Sequence, residues 1–201
     1  MVKNLIVFYR KRLDSLFRMT EKVESNRDLT LQEKEKIFEG LFLDAFKNYE
    51  YTIEKLFIEA MLTREIIARK RFCSYVRPRN SNHAMDILLL EKDFIDWTNP
   101  ESVIKRAEAL FQNHSIITNC IKTNMQFLRD SKYVRNAITH SSEESIKQFN
   151  KVLNRYLGTK PVLRKTPGWF LNQLYTSNPV GITKVMKHFL NSYYNLSHHF
   201  V

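Results

Sequence analysis

The densest group of chemistry-bearing side chains in this chain lies in SKYVRNAITHSS, residues 131–142. Arg135 supplies a planar fork of permanently charged donors, a shape that holds a phosphate through two parallel hydrogen bonds. Histidine titrates near neutrality, so a histidine at position 140 can move a proton or polarise an oxygen. Asn136, directly after the arginine, can position a phosphate or ribose oxygen. Together these are the parts of a site that works on a phosphate ester.

Their spacing raises an objection. Five positions along a continuous α-helix turn through about 500°, which leaves the two side chains about 140° apart. Convergence requires the helix to stop between them and the next element. Thr139 is β-branched, and Ser141-x-x-Glu144 has the form of a capping box opening a new helix. That places His140 at a corner, from which it can fold back toward Arg135 or face a second copy of the same corner. Spacing alone favours the plainer reading, a solvated helix end whose histidine is satisfied locally.

An acid upstream bears on the choice. Leu43, Phe46, Ile53, Phe57 and Met61 form one stripe at helical steps, and Glu50 lies within it. A carboxylate on an apolar face is costly unless paired. Arg135 or His140 is a candidate partner; a helix edge near solvent is the plainer explanation.

The elements that must position these residues follow from apolar spacing and capping signals. Residues 2–24 carry Leu5, Ile6, Tyr9, Leu13, Leu16, Phe17 and Val23 at three- and four-residue steps, which predicts an amphipathic helix. Thr30 and Glu33 form a capping box opening a second helix of about 30 residues. Residues 64–98 read as a long loop with short elements. Asn99 and Pro100 start helical spacing that runs through Phe111 and resumes at Ile116, reaching the 131–142 stretch. Ser141 opens the next helix and Gly158 closes it. Thr166-Pro167 opens a shorter one with Trp169, Phe170 and Leu174, and Asn178-Pro179 separates a last helix through Val185, Phe189, Tyr193 and Leu196. The expected fold is all-α: a single domain over residues 1–201, a bundle of five to seven helices.

Composition narrows the function classes. Hydrophobic content of 43% and 12% aromatics are globular values, and 4 glycines and 5 prolines are too few for the turns of a sandwich or barrel. The formal charge is +11 with a pI near 9.6, which bears on partners and not on fold. Residues 64–79 hold six Arg/Lys against one Glu, interleaved with Phe72 and Tyr75. Cations alternating with rings suit an unpaired nucleic-acid strand, so Arg69, Lys70, Arg71, Arg77 and Arg79 are the candidate RNA-binding residues. A basic solvated surface is the alternative. From Ser145 to the end there are eight Lys/Arg and no acid. Cys73 and Cys120 have neither metal nor disulfide spacing, which suggests a reducing compartment. The N-terminal LIVF run is too short for a signal peptide, and no apolar run approaches the roughly 18 residues of a membrane span. A cytoplasmic protein is expected.

On these residues the chain resembles the HEPN (higher eukaryotes and prokaryotes nucleotide-binding) superfamily. RNAITH is similar to its Arg-x4–6-His signature, with a polar residue after the arginine, and YEYTIEKLF is similar to its helix bearing an aromatic–Glu pair, at Glu50. The likeness spans roughly residues 30–157 and is nearest the small stand-alone types such as the RiboL-PSP group; the basic stretch 158–201 is an extension. The resemblance implies a homodimer in which two Arg–His motifs build a composite, metal-independent endoribonuclease site. The ribose 2′-OH would attack the adjacent phosphorus, with His140 in proton transfer and Arg135 on the phosphorane charge. It also implies a role as a toxin or anti-phage effector, with an antitoxin or defence-system partner. Two positions depart from the family pattern: Ser142 stands where tyrosine-modified toxins carry Tyr, and Ser141 where many members carry Gly.

No metal or cofactor is expected, because His83, His114, His188, His198 and His199 have no Asp, Glu or Cys at ligand spacing. Two other function classes stay open: a non-catalytic HEPN module that binds RNA or acts as a scaffold subunit, and an unrelated basic helical DNA-binding protein.

Overall fold

Punctuation by capping residues decides where the helices begin. A computed structural model of the chain describes residues 2–63, 66–67, 70–71, 73–90, 93–140, 142–158, 165–175 and 183–200, with main chain alone for 66–67 and 70–71. Helix α1 (Val2–Ser25) is followed by α2 (Leu31–Leu62), which opens on the expected reciprocal cap. The Thr30 amide and hydroxyl donate to Glu33 Oε2 at 2.8 and 2.7 Å, and the Glu33 amide donates back to Thr30 Oγ1 at 3.3 Å. These bonds hold the Glu33 carboxyl below the usual carboxylate range.

Two short antiparallel strands, β1 (Ile66–Ile67) and β2 (Lys70–Arg71), come next, then α3 (Ser81–Leu89), α4 (Pro100–Leu110), α5 (Ser115–Thr123), α6 (Met125–Thr139) and α7 (Glu143–Leu157). The chain continues with α8 (Pro167–Leu171), a second two-stranded pair β3 (Leu174–Tyr175) and β4 (Thr183–Lys184), α9 (Val185–Leu196) and a closing 3₁₀ turn, Ser197–Phe200. The chain is therefore mostly helical. Among the described residues no helix is long and apolar enough to cross a membrane.

Among the described residues there are nine α-helices in place of the expected five to seven. The helical spacing from Asn99, expected to include Phe111 and to resume at Ile116, ends before Phe111 and breaks a second time beyond Ile116. Phe111 leaves α4 in an extended conformation, φ −127° and ψ 133°, and forms an isolated antiparallel bridge with Ser74. Asn124 then interrupts the run, its side-chain amide donating to the Cys120 carbonyl at 2.8 Å. Helix α3 lies within the stretch read as a loop, capped by Asn80, whose side chain accepts from the His83 amide at 2.9 Å. Leu174 belongs to a strand, is half exposed, and does not extend α8. Asn178 and Pro179 lie outside the described residues.

Contacts divide the chain into two compact units. The first comprises Met1–Lys11, Asn48–Arg129 and Asn195–Val201; the second comprises Arg12–Lys47 and Asp130–Tyr194. In the first, α4 packs on α5 and α5 on the 3₁₀ turn. The fully buried Phe57 ring sits 5.0 Å from Trp97 and 5.5 Å from Phe111. In the second, Phe42, Phe149, Tyr156, Phe170 and Phe189 form a buried aromatic core, with Phe42 edge-on to Phe189 at 5.2 Å. Rings that meet edge to face gain beyond the area they bury. Helix α8 docks there through Glu39, whose Oε1 accepts the Gly168 amide at 3.0 Å.

Candidate active site

The second unit contains the corner where α6 ends. Asp130 and Ser131 are buried at the start of its share of α6, and Val134 is fully buried one turn on; Asn136 and Thr139 lie on the opposite face, with the half-buried Arg135 at its edge. Across the corner, Arg155 on α7 forms an ion pair with Asp130, whose side chain is 1% exposed. That pair fixes the antiparallel register of the two helices that meet at the corner.

At the corner itself the ladder runs one residue past the helix. The His140 amide donates to the Asn136 carbonyl at 2.8 Å, and the Thr139 hydroxyl donates to the Arg135 carbonyl at 3.0 Å. The cap of α7 is one residue later than the sequence suggests: Ser142, not Ser141, is the N-cap, its hydroxyl accepting from the Ser145 amide at 3.3 Å. This puts Glu143 and Glu144 in the first turn of α7, where the helix dipole favours carboxylates, and leaves Ser145 at the third position, where the box would need an acid. Ser141 lies outside the described residues.

The side chains converge. Arg135 Nη1 donates to Asn136 Oδ1 at 3.1 Å and lies 3.4 Å from His140 Nε2. A guanidinium can only donate, so as a hydrogen bond this contact needs the lone pair of the ring on Nε2. The 140° that separates positions five apart on a helix is closed because His140 is the last residue of the ladder and its side chain is no longer bound to the helical surface. His140 is exposed, and Arg135 and Asn136 are partly so, which leaves the trio open to a large substrate.

A residue that the sequence pattern does not flag holds the corner together. Ser145 is buried, and its hydroxyl lies 2.8 Å from both the His140 and the Ser142 carbonyls. Its only sequence signal is a small polar residue on the inward face of a strongly amphipathic helix.

The remaining candidates fall elsewhere. Glu50 is half-buried on α2, between the buried Phe46 and Ile53, and belongs to the first unit. Arg77 and Arg79 are exposed, also in the first unit, and the Arg79 amide donates to His83 Nδ1 at 3.1 Å. Lys70 and Arg71 form β2, described by main chain alone, and Arg69 lies outside the described residues. Among the described residues no group of three His, Cys, Asp or Glu could hold a metal ion.

Comparison with family models, with curated proteins and with solved structures finds no match in any of the three. The functional reading rests on the corner.

Proposed function

We propose that the chain is an endoribonuclease of the HEPN type, cutting single-stranded RNA without a metal ion, as a toxin or anti-phage effector. The observation that carries this reading is the approach of Arg135 Nη1 to both Asn136 Oδ1 and His140 Nε2 at an exposed corner. An imidazole Nε2 with its lone pair toward a guanidinium would be a base next to an anion holder. Placed against RNA, His140 takes the proton of a ribose 2′-OH as its oxygen bonds to the adjacent phosphorus. The 5′-oxygen leaves with a proton, giving a 2′,3′-cyclic phosphate and a 5′-OH. Arg135 and Asn136 hold the non-bridging oxygens while charge builds on them, the electrostatic contribution that is usually largest.

One corner supplies one histidine, whereas the step needs a base and an acid. A homodimer with two corners meeting at one phosphate supplies both. Glu50 has its place in this reading through the resemblance, as does an antitoxin or defence-system partner that controls the activity. Exposed Arg77 and Arg79 favour binding to a phosphate backbone.

The test uses purified protein with single-stranded RNA and matching DNA in EDTA, beside His140→Ala and Arg135→Ala. RNA-only cleavage leaving cyclic phosphate ends, lost in both variants, is expected. Cleavage that persists in His140→Ala overturns the reading. Salt-sensitive RNA binding with no cleavage favours the non-catalytic RNA-binding module instead. Light scattering tests the dimer: a strict monomer is incompatible with a composite site.

A further inference from the structure

The first unit holds a cavity of about 600 Å³, within the range of small-molecule sites, and none of the corner residues lines it. Its wall is made by main-chain bonds between distant segments. The Tyr75 amide donates to the Leu110 carbonyl and the Gln112 amide to the Cys73 carbonyl, both at 2.9 Å, and the Ser74 hydroxyl adds a bond to the Leu110 carbonyl at 3.2 Å. These bonds draw residues 73–78 against the end of α4 and fix Arg77 and Gln112 on the cavity lining together with the last turn of α2.

The lining has three kinds of surface. Met61, Leu62, Val76 and Pro78 are apolar. Arg77 is an exposed cation that, among the described residues, has neither an ion-pair nor a hydrogen-bond partner. The exposed Gln112 carboxamide likewise has no hydrogen-bond partner among the described residues, while its main-chain amide is bonded to the Cys73 carbonyl. An exposed guanidinium on a cavity lining, with no carboxylate beside it among the described residues, is free to take an anion. A primary amide presents a donor and an acceptor side by side, matching a nucleobase edge, as in the bidentate pairing of Gln with adenine. The apolar patch suits the faces of a base. We propose that this cavity binds a phosphorylated nucleoside, with Arg77 on its phosphate and Gln112 on its base edge. The ligand is either a free mononucleotide or one nucleotide of a single-stranded RNA, since both present the same chemistry. The pocket does not depend on the cleavage reading, because it needs no reaction at the corner.

Cys73 lines the cavity and reports on its occupancy. Cys120 is buried, its thiol pushed up to about 12 by burial, so a maleimide added to the native protein reports Cys73 alone. Cys73 labelling is timed by mass spectrometry with each 5′-mononucleotide, with a 2′-O-methyl RNA oligomer that cannot be cleaved, and with inorganic phosphate. At least about fivefold slowing at saturation is expected from a mononucleotide, from the oligomer, or from both. Protection by mononucleotides identifies a free-nucleotide site, and protection by the oligomer alone identifies a strand subsite. Arg77→Ala and Gln112→Ala should each raise the half-protecting concentration about tenfold, roughly the loss of one charge-assisted or bidentate contact. His140→Ala should leave protection unchanged, which separates failure of this proposal from failure of the cleavage reading. No slowing by any nucleotide, equal slowing by phosphate alone, or protection undiminished in both variants overturns it.

Discussion

Arg155, near the end of α7, reaches across to the carboxylate of Asp130, which is almost wholly buried on α6. Removing one partner of a buried pair leaves an uncompensated charge, a cost of about 3–5 kcal/mol when both are buried. Arg155 keeps 43% of its side chain in solvent, so a smaller loss applies. Arg155→Ala is expected to cost about 2 kcal/mol and to lower Tm by about 4–8 °C in thermal denaturation followed by circular dichroism. An unchanged Tm would mean that the pair does not hold α6 to α7.

If the Arg135 fork is what holds the phosphate, charge alone will not replace it. Arg135→Lys keeps the charge but offers a single point donor. RNA cleavage is expected to fall about 10²-fold or more, in line with the removal of one donor to a developing oxyanion. The variant should unfold at the wild-type temperature, because Arg135 bonds only at the partly exposed corner.

The two described helical glycines Gly40 and Gly168 should respond oppositely to alanine. At Gly168 a Cβ would stand 2.5 Å from the Glu35 carbonyl oxygen and 2.8 Å from its carbon, main-chain atoms that cannot swing away. Gly168→Ala is expected to destabilise by about 2 kcal/mol through overpacking of α8 on α2. A Cβ at Gly40, inside α2, meets nothing within 4 Å. Gly40→Ala should stabilise by about 0.5–1 kcal/mol by removing backbone freedom from the unfolded chain. Urea melts of the two variants distinguish the effects.

Acid should weaken the second unit through His188. Its ring lies 5.6 Å from Tyr156 and 4.8 Å from Tyr175, and burial lowers its pKa below the usual histidine value. The unfolded chain therefore binds a proton first. This contribution to stability is complete above the unfolded pKa, about 6.5, and is lost as pH falls from there toward the folded value. His188→Phe should flatten the Tm–pH curve between pH 7 and 5; an unchanged curve assigns the loss to other groups.

The helix starts were legible because they are written in side-chain chemistry. Thr30 with Glu33, Asn99 with Pro100 and Thr166 with Pro167 each place a capping oxygen at a helix start, and Gly158 adopts the left-handed φ of 63° that ends α7. The gap before Ile116 was legible, but that Phe111 itself leaves the helix was not, because its side chain is buried whether the main chain is helical or extended. Helix α3 was obscured because it buries only Ala84 and Leu88. At the corner, the residue types and the stop could be read, whereas Ser145 acts on main-chain carbonyls and leaves no pattern. The cavity depends on residues 36 apart, Ser74 and Leu110, meeting through the main chain, which side-chain spacing does not encode.

Apart from the Asp130–Arg155 pair that sets the helix register, the bonds of the corner among the described residues, from Arg135–Asn136 to Ser145–His140, join residues at most five apart. Loop closure over so few residues is fast and costs little chain entropy. The trio can therefore take shape as soon as the α6–α7 turn forms, before any distant part of the chain arrives. A nascent chain emerging from the ribosome would hold this geometry early, and under the proposed composite site its chemistry would still wait for a second copy.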